Sequence, residues 1–289
     1  DWQIYESTLP SETSSRIADA QIVLSNKIPL NESNLKQSKV QFISVMATGT
    51  NNVDLNFTKK QGITVSNAVA YATPSVVQHT ITLILALSTN LPAYLRDVRR
   101  GAWQHSNVFC LLQHPIREVS GKKLGIIGFG ELGRAVAEAS KGLGLDVMVS
   151  ERPGEANRPG RREFNDVIAH ADYLSLHCPL TDDNYHMIGP TVLSKMKPSA
   201  FLINTARGGL VDSSALLAAL KTGEIAGAAV DVLDIEPPKN DESLITNFDN
   251  LLVTPHNAWG AVESRNRLIE QMKENIEAYL ANQPKRQVT

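Results

Sequence analysis

Three residues whose chemistry could work together stand at the ends of three apolar runs. Arg207 closes LINTA (202–206), Glu236 follows GAAVDV (227–232) and His256 follows LLVTP (251–255). A guanidinium presents a planar fork of donors that can hold a carboxylate and polarise a carbonyl. An imidazole gives or takes a proton near neutral pH, and a carboxylate beside it favours the protonated ring and fixes its orientation. Such a set suits hydride addition to the carbonyl of a 2-oxo acid, where negative charge grows on oxygen and a proton must arrive. In the reverse direction the neutral ring of His256 accepts the hydroxyl proton. Taken singly, each residue has a plainer role: a strand-end ion pair for Arg207, a loop acid ahead of two prolines for Glu236, a structural histidine for His256.

A source of hydride is suggested by IIGFGELGRAVAEASKGLG (126–144). Gly128, Gly130 and Gly133 fall in the G-x-G-x-x-G spacing after a strand-like run and at the head of a small-residue helix. Gly128 makes the tight turn, Gly130 lets a pyrophosphate approach the backbone, and Gly133 lets the helix pack closely. Glu131 and Leu132 lie inside this loop and belong to the same candidate cofactor site, whose phosphates face the helix N-terminus. Glu151 follows the next strand, eighteen residues after Gly133, where an acid bonds the adenosine ribose and repels a 2′-phosphate. NADH is therefore favoured. NADP remains possible through Arg152, Arg158, Arg161 and Arg162 of RPGEANRPGRR (152–162). The same glycine loop could serve S-adenosylmethionine in methyl transfer, but that use leaves Arg207, Glu236 and His256 unexplained.

The elements needed to position these groups can be read from periodicity. Runs at 21–26, 42–47 and 63–68 predict a small parallel sheet, and PSVVQHTITLILALSTNL (74–91) predicts a buried helix bridging two domains. Six further runs, at 123–128, 145–151, 173–178, 200–206, 227–232 and 251–256, predict a doubly wound sheet buried on both faces. A last helix, 261–282, could return to the first domain. The expected fold is α/β, with two Rossmann-like doubly wound domains facing a cleft. A dinucleotide-binding domain, 74–260, which also carries the bridging helix, is inserted into a smaller substrate domain, 1–73 with 261–289.

Composition narrows the partners. The 289 residues are 42% hydrophobic and 20% charged with a formal net charge of −2 and a pI near 6.4, which gives no general attraction to nucleic acid or anionic membrane. The longest apolar run, TITLILALS (80–88), is too short to span a bilayer. Two cysteines, Cys110 and Cys178, do not form a disulfide framework and point to the cytoplasm. His79, His105, His114, His170, His177 and His186 lack metal-ligand spacing, so no metal is expected. DWQIYE (1–6) shows neither an initiator methionine nor a basic-then-apolar leader.

The elements GFGELG (128–133), HCPLT (177–181), NTARGGLVD (204–212), VDVLDIEPP (230–238) and TPHNAWG (254–260) together resemble the D-isomer-specific 2-hydroxyacid dehydrogenase family across nearly the whole chain. The resemblance implies a homodimer, NAD(P)-dependent hydride transfer, and the roles given above to Arg207, Glu236 and His256. It further implies that the backbone amides of Thr48 and Gly49 meet the substrate carboxylate. Cys178 and Pro179 would wall the adenosine pocket, while the Ala206 carbonyl and the Asp231 side chain would accept from the nicotinamide amide. ATGTNNVDL (47–55), ERPG (151–154) with RPGR (158–161), and TPHNAWG are most similar to glycerate dehydrogenases, also called hydroxypyruvate reductases, with glyoxylate as a further substrate. Two departures stand out: a first βα unit is expected before residue 1, and Gln78 occupies a position where the family usually has glutamate. Formate oxidation fits less well, because it releases no hydroxyl proton for Glu236 and His256 to handle. A non-enzymatic NAD sensor is the alternative of another class, although no partner-binding extension is evident.

Overall fold

The computed structural model describes residues 1–239, 244 and 248–289. In chain order the first elements are α1 (Pro10–Ile17), β1 (Ile22–Ser25), α2 (Glu32–Leu35), β2 (Phe42–Val45), α3 (Leu55–Lys60), β3 (Thr64–Ser66), α4 (Thr73–Thr89) and α5 (Leu91–Arg99). They are followed by β4 (Lys123–Ile127), α6 (Glu131–Lys141), β5 (Asp146–Val149), α7 (Phe164–His170), β6 (Tyr173–Leu176), α8 (Pro190–Leu193), β7 (Phe201–Asn204), α9 (Ser213–Thr222), β8 (Gly227–Val230), β9 (Leu251–Val253) and α10 (Val262–Leu280). The chain divides into two units, Asp1–Ala72 with Ala261–Thr289, and Thr73–Gly260.

In the first unit β1, β2 and β3 form a parallel sheet in that order. Each strand lies inside an apolar run expected to be extended. Phe42, Ile43, Val45 and Val65 are fully buried, which is what a parallel sheet covered on both faces requires. α10 packs on this sheet: the Tyr279 ring stacks on Phe42 with centroids 4.4 Å apart, and Ser44 Oγ lies 3.1 Å from Met272 Sδ. Buried Asn275 donates to the Asn67 carbonyl at 2.9 Å and accepts from Arg286 at 2.8 Å, so its amide is satisfied within the packing.

The second unit holds a six-stranded, wholly parallel sheet in the order β5-β4-β6-β7-β8-β9. Alternation along the strands sends successive side chains to opposite faces. Leu174, Leu176, Leu202 and Ala228 face a core with Val167, Ile168, Leu193 and Leu216 of the helices. Leu124, Ile126, Tyr173 and Ile203 face the other core, with Leu83, Ile84, Leu87 and Val136. Full burial of each such aliphatic side chain stabilises the fold by roughly 1.5–3 kcal/mol, enough to hold strands of only three to five residues in register. Strand order reverses between β4 and its neighbours β5 and β6, so the carboxyl ends there open a crevice of the kind that receives ligands in such sheets. No helix among the described residues is long and apolar enough to cross a membrane.

Candidate active site

β7, β8 and β9 are adjacent and parallel, so the residues that follow them emerge side by side. His256 follows β9 in the left-handed backbone region, φ 49°, a conformation seldom adopted outside glycine. It is held there by its own amide, which donates to the Asp231 carbonyl at 2.8 Å, and by its carbonyl, which accepts from the Trp259 indole at 3.0 Å. The His256 ring Nδ1 lies 2.6 Å from Glu236 Oε2. An ionised carboxylate only accepts, so Nδ1 carries the proton of this bond and Nε2 is the ring atom turned to proton exchange. The second Glu236 oxygen accepts from the Leu233 amide at 2.9 Å, which ties the carboxylate to the backbone on the side away from that bond.

Arg207 follows β7 and is partly buried. Its Nη1 donates to the Ala206 carbonyl at 2.7 Å. Asn204, 1% exposed, clamps the turn from beneath, donating to the Arg207 carbonyl at 2.9 Å and accepting from the Ala206 amide at 3.0 Å. Gly208 explains why this turn and the one after β8 can meet. A Cβ on Gly208 would stand 2.0 Å from the Leu233 carbonyl carbon and 2.4 Å from the Asp234 nitrogen, both backbone atoms.

Asp231 organises the His256 loop from within. Its side chain is 1% exposed and accepts from Thr254 Oγ1 at 2.6 Å, the Asn257 amide at 3.1 Å and the Ala258 amide at 3.0 Å. His79 joins this network with Nε2 3.0 Å from Thr254 Oγ1 and 3.5 Å from Asp231 Oδ1. The nicotinamide role suggested for Asp231 and for the Ala206 carbonyl thus meets groups that already have protein donors.

The glycine loop has the shape a dinucleotide needs. Gly128 turns at φ 90°, and a Cβ there would meet the Cys178 nitrogen at 2.5 Å. At Gly133 a Cβ would lie 2.0 Å from the Gly128 carbonyl oxygen, whereas at Gly130 nothing stands within 4 Å. The loop is therefore closed on its protein side and open at Gly130. Gly130 is also the N-cap of α6, with no side chain capping the helix, so the first-turn amides are donors for an anion. Glu131 accepts from Thr73 Oγ1 and Leu132 lies in the first turn of α6. Cys178 and Pro179 lie just beyond β6, beside the turn at Gly128, and burial raises the Cys178 thiol above its ordinary value. These residues fit a pyrophosphate-bearing cofactor.

Glu151 behaves differently from a free ribose acid. Its side chain is fully buried, and Arg158 Nε and Nη2 both bond it, one to each oxygen. The Arg152 amide donates at 2.9 Å and the Arg158 amide at 3.3 Å, with Arg161 Nη1 at 3.4 Å. The Arg158 bond, before the backbone donors, holds its carboxyl far below the usual carboxylate range. Thr48, exposed, and Gly49, half-buried, lie in the bend after β2 of the first unit, where the Thr48 carbonyl accepts from Asn67 at 2.8 Å.

The model of the "D-isomer specific 2-hydroxyacid dehydrogenase, NAD binding domain" matches residues 81–258. Glycerate dehydrogenase of Methylorubrum extorquens is 42% identical over 98% of this chain and 90% of that protein. Hydroxypyruvate reductase of Blautia hydrogenotrophica is 35% identical over 94% of this chain and 86% of that protein. Among solved structures, D-lactate dehydrogenase from Aquifex aeolicus with NAD and lactic acid superposes with a TM-score of 0.80, at 27% identity, covering 96% of this chain and 86% of that one. The chain belongs to the D-isomer-specific 2-hydroxyacid dehydrogenase family.

Proposed function

We propose that the protein reduces hydroxypyruvate to D-glycerate, and glyoxylate to glycolate, with His256 as the acid and base. The observation that carries this reading is the 2.6 Å bond between His256 Nδ1 and Glu236, at the end of a strand neighbouring the one that delivers Arg207. A nicotinamide cofactor bound at the Gly128–Gly133 loop supplies the hydride. Arg207 binds the substrate carboxylate and stabilises the charge that grows on the carbonyl oxygen. His256 gives its Nε2 proton to that oxygen, and Glu236 stabilises the ring while it is charged. In oxidation neutral His256 takes the proton back. Thr48 and Gly49 are assigned to the substrate carboxylate by family resemblance alone. By the same assignment, Asp1–Ala72 with Ala261–Thr289 is the substrate domain and Thr73–Gly260 the cofactor domain.

The names of the relatives from Methylorubrum extorquens and Blautia hydrogenotrophica support the choice of substrate. We further propose a homodimer. Phe109 is 90% exposed and Leu112 74%, with Trp103, Val108 and Ile116 also exposed nearby, an apolar surface suited to a second copy. The free thiols of Cys110 and Cys178 support a cytoplasmic setting. The test is steady-state turnover of hydroxypyruvate, glyoxylate and pyruvate with each reduced nicotinamide cofactor. Turnover ordered with hydroxypyruvate first supports the reading. Cofactor binding without reduction of any of the three refutes it in favour of a sensor.

A further inference from the structure

The segment after β5 is anchored along the strand edge before it turns away. The Arg162 amide donates to the Val149 carbonyl and the Glu151 amide to the Arg162 carbonyl, both at 2.8 Å. Residues 152–161 therefore form a fixed loop over the carboxyl end of β5, where a doubly wound sheet receives the adenosine ribose. In NAD-using sites an acid at this point accepts hydrogen bonds from the ribose hydroxyls. Here Glu151 has no such capacity to spare. Its two oxygens take five protein donors: two guanidinium nitrogens of Arg158, one of Arg161, and the amides of Arg152 and Arg158.

Charge points the same way. Residues 151–162 carry four arginines against two glutamates, Glu151 and Glu155. Glu151 is covered by its partners, while the side chains of Arg152 and Arg162 are 73% and 57% exposed and that of Arg158 is half exposed. Arg152 reaches Glu155 only at 3.4 Å, and Arg162 reaches Asp166 only at 3.4 Å. A phosphate group brings about −1.5 to −2 charges and three acceptor oxygens, which match guanidinium donors and not a saturated carboxylate.

We infer that the loop after β5 selects the 2′-phosphate of NADPH over the 2′-hydroxyl of NADH, with Glu151 acting as the anchor that orients Arg158 and Arg161 rather than as a ribose ligand. This reverses the cofactor preference expected from the position of Glu151 alone, and it rests on the reductase reading of the glycine loop. The anchoring role follows from geometry: Arg158 spends one edge of its guanidinium on Glu151 and keeps the other for a ligand, and Arg161 is held within reach of the same carboxylate.

The experiment is titration of the full chain with NADPH and NADH, followed by nicotinamide fluorescence, at low and high ionic strength. NADPH is expected to bind more tightly by about tenfold or more, as one lost charge-assisted phosphate contact would give, with the gap narrowing as salt rises. Arg158→Ala should close the gap from both sides, weakening NADPH and freeing Glu151 to strengthen NADH. Arg161→Ala should narrow it, and serves if the Arg158 variant does not fold. Equal or tighter binding of NADH to the unaltered chain overturns the inference, as does a gap that neither variant changes. Binding in the expected order without reduction of any 2-oxo acid would sink the reductase reading and leave the cofactor selection standing. Turnover that prefers NADH, with NADH bound the tighter, would do the opposite, and binding of neither cofactor would end both.

Discussion

Gly208→Ala offers a test of how the catalytic turns are held together. The added Cβ would stand 2.0 Å from the Leu233 carbonyl carbon, 2.1 Å from its oxygen and 2.4 Å from the Asp234 nitrogen. Ordinary carbon contacts begin near 3.5 Å, so the Leu233–Asp234 backbone must retreat by about 1.5 Å or the Arg207 turn must do so. No side chain can rotate out of the way, because every close atom is main chain. The Leu233 amide is also the donor that fixes Glu236, so the retreat moves Glu236, and with it the His256 ring, relative to Arg207. Misplacement by about 1 Å costs on the order of 10²-fold in rate, and overpacking of this kind destabilises by about 1–3 kcal/mol. We expect kcat/KM for hydroxypyruvate to fall about a hundredfold and Tm to fall by several degrees, roughly 2–4 °C per kcal/mol for a unit of this size. A Gly208→Ala protein with unchanged kcat/KM and Tm would refute the argument that these two turns share their contact at a bare backbone.

Other perturbations separate the parts. Gly130→Ala meets open space in the fold, so Tm should be unchanged while cofactor affinity drops by about tenfold or more from the filled cradle; intact affinity in a fluorescence titration would displace the phosphates from this loop. Glu236→Gln removes the charged acceptor opposite His256 Nδ1, so kcat/KM for hydroxypyruvate should fall by about tenfold or more, as loss of a charge-assisted hydrogen bond would give, and an unchanged kcat/KM would break the proposed pair. His177, buried beside Ser175 at 2.9 Å, has its pKa pushed down to about 4 by burial. The unfolded chain then binds the extra proton first, so stability present above pH ~6.5 is lost as the pH falls towards 4, by up to about 1.4 kcal/mol per pH unit. Urea unfolding of His177→Gln should show a flatter dependence in that window, and identical slopes would remove His177 from the cause.

The sequence made the strands legible because parallel strands covered on both faces must be continuously apolar, as FLIN, GAAV and YLSL are. The glycine spacing worked for a similar reason: Gly128 and Gly133 answer backbone contacts that leave no room for a side chain. Arg207, Glu236 and His256 could be grouped because each follows a strand, and strand ends of one sheet face one way. What stayed hidden depends on distance along the chain. His79 and Thr254 are 175 residues apart, and no local pattern joins them. Glu151 could be placed at the right strand end, but its capture by Arg158 depends on how a proline- and glycine-bearing turn folds back seven residues later. Gly208 read as part of a motif, and only the approach of Leu233 shows what its missing side chain permits. α5 begins with Leu91 and Pro92 directly after α4, so its start was concealed in the tail of a longer apolar run.

In the proposed reaction His256 is the group that exchanges the proton with substrate. The direct measurement is oxidation of the preferred reduced nicotinamide cofactor in the presence of hydroxypyruvate by the unaltered protein and by His256→Ala, with cofactor affinity measured on both. Turnover should fall by about 10²- to 10⁴-fold, the range for loss of a general acid, while the cofactor binds as before. A folded His256→Ala protein that reduces hydroxypyruvate at the original rate would contradict the account.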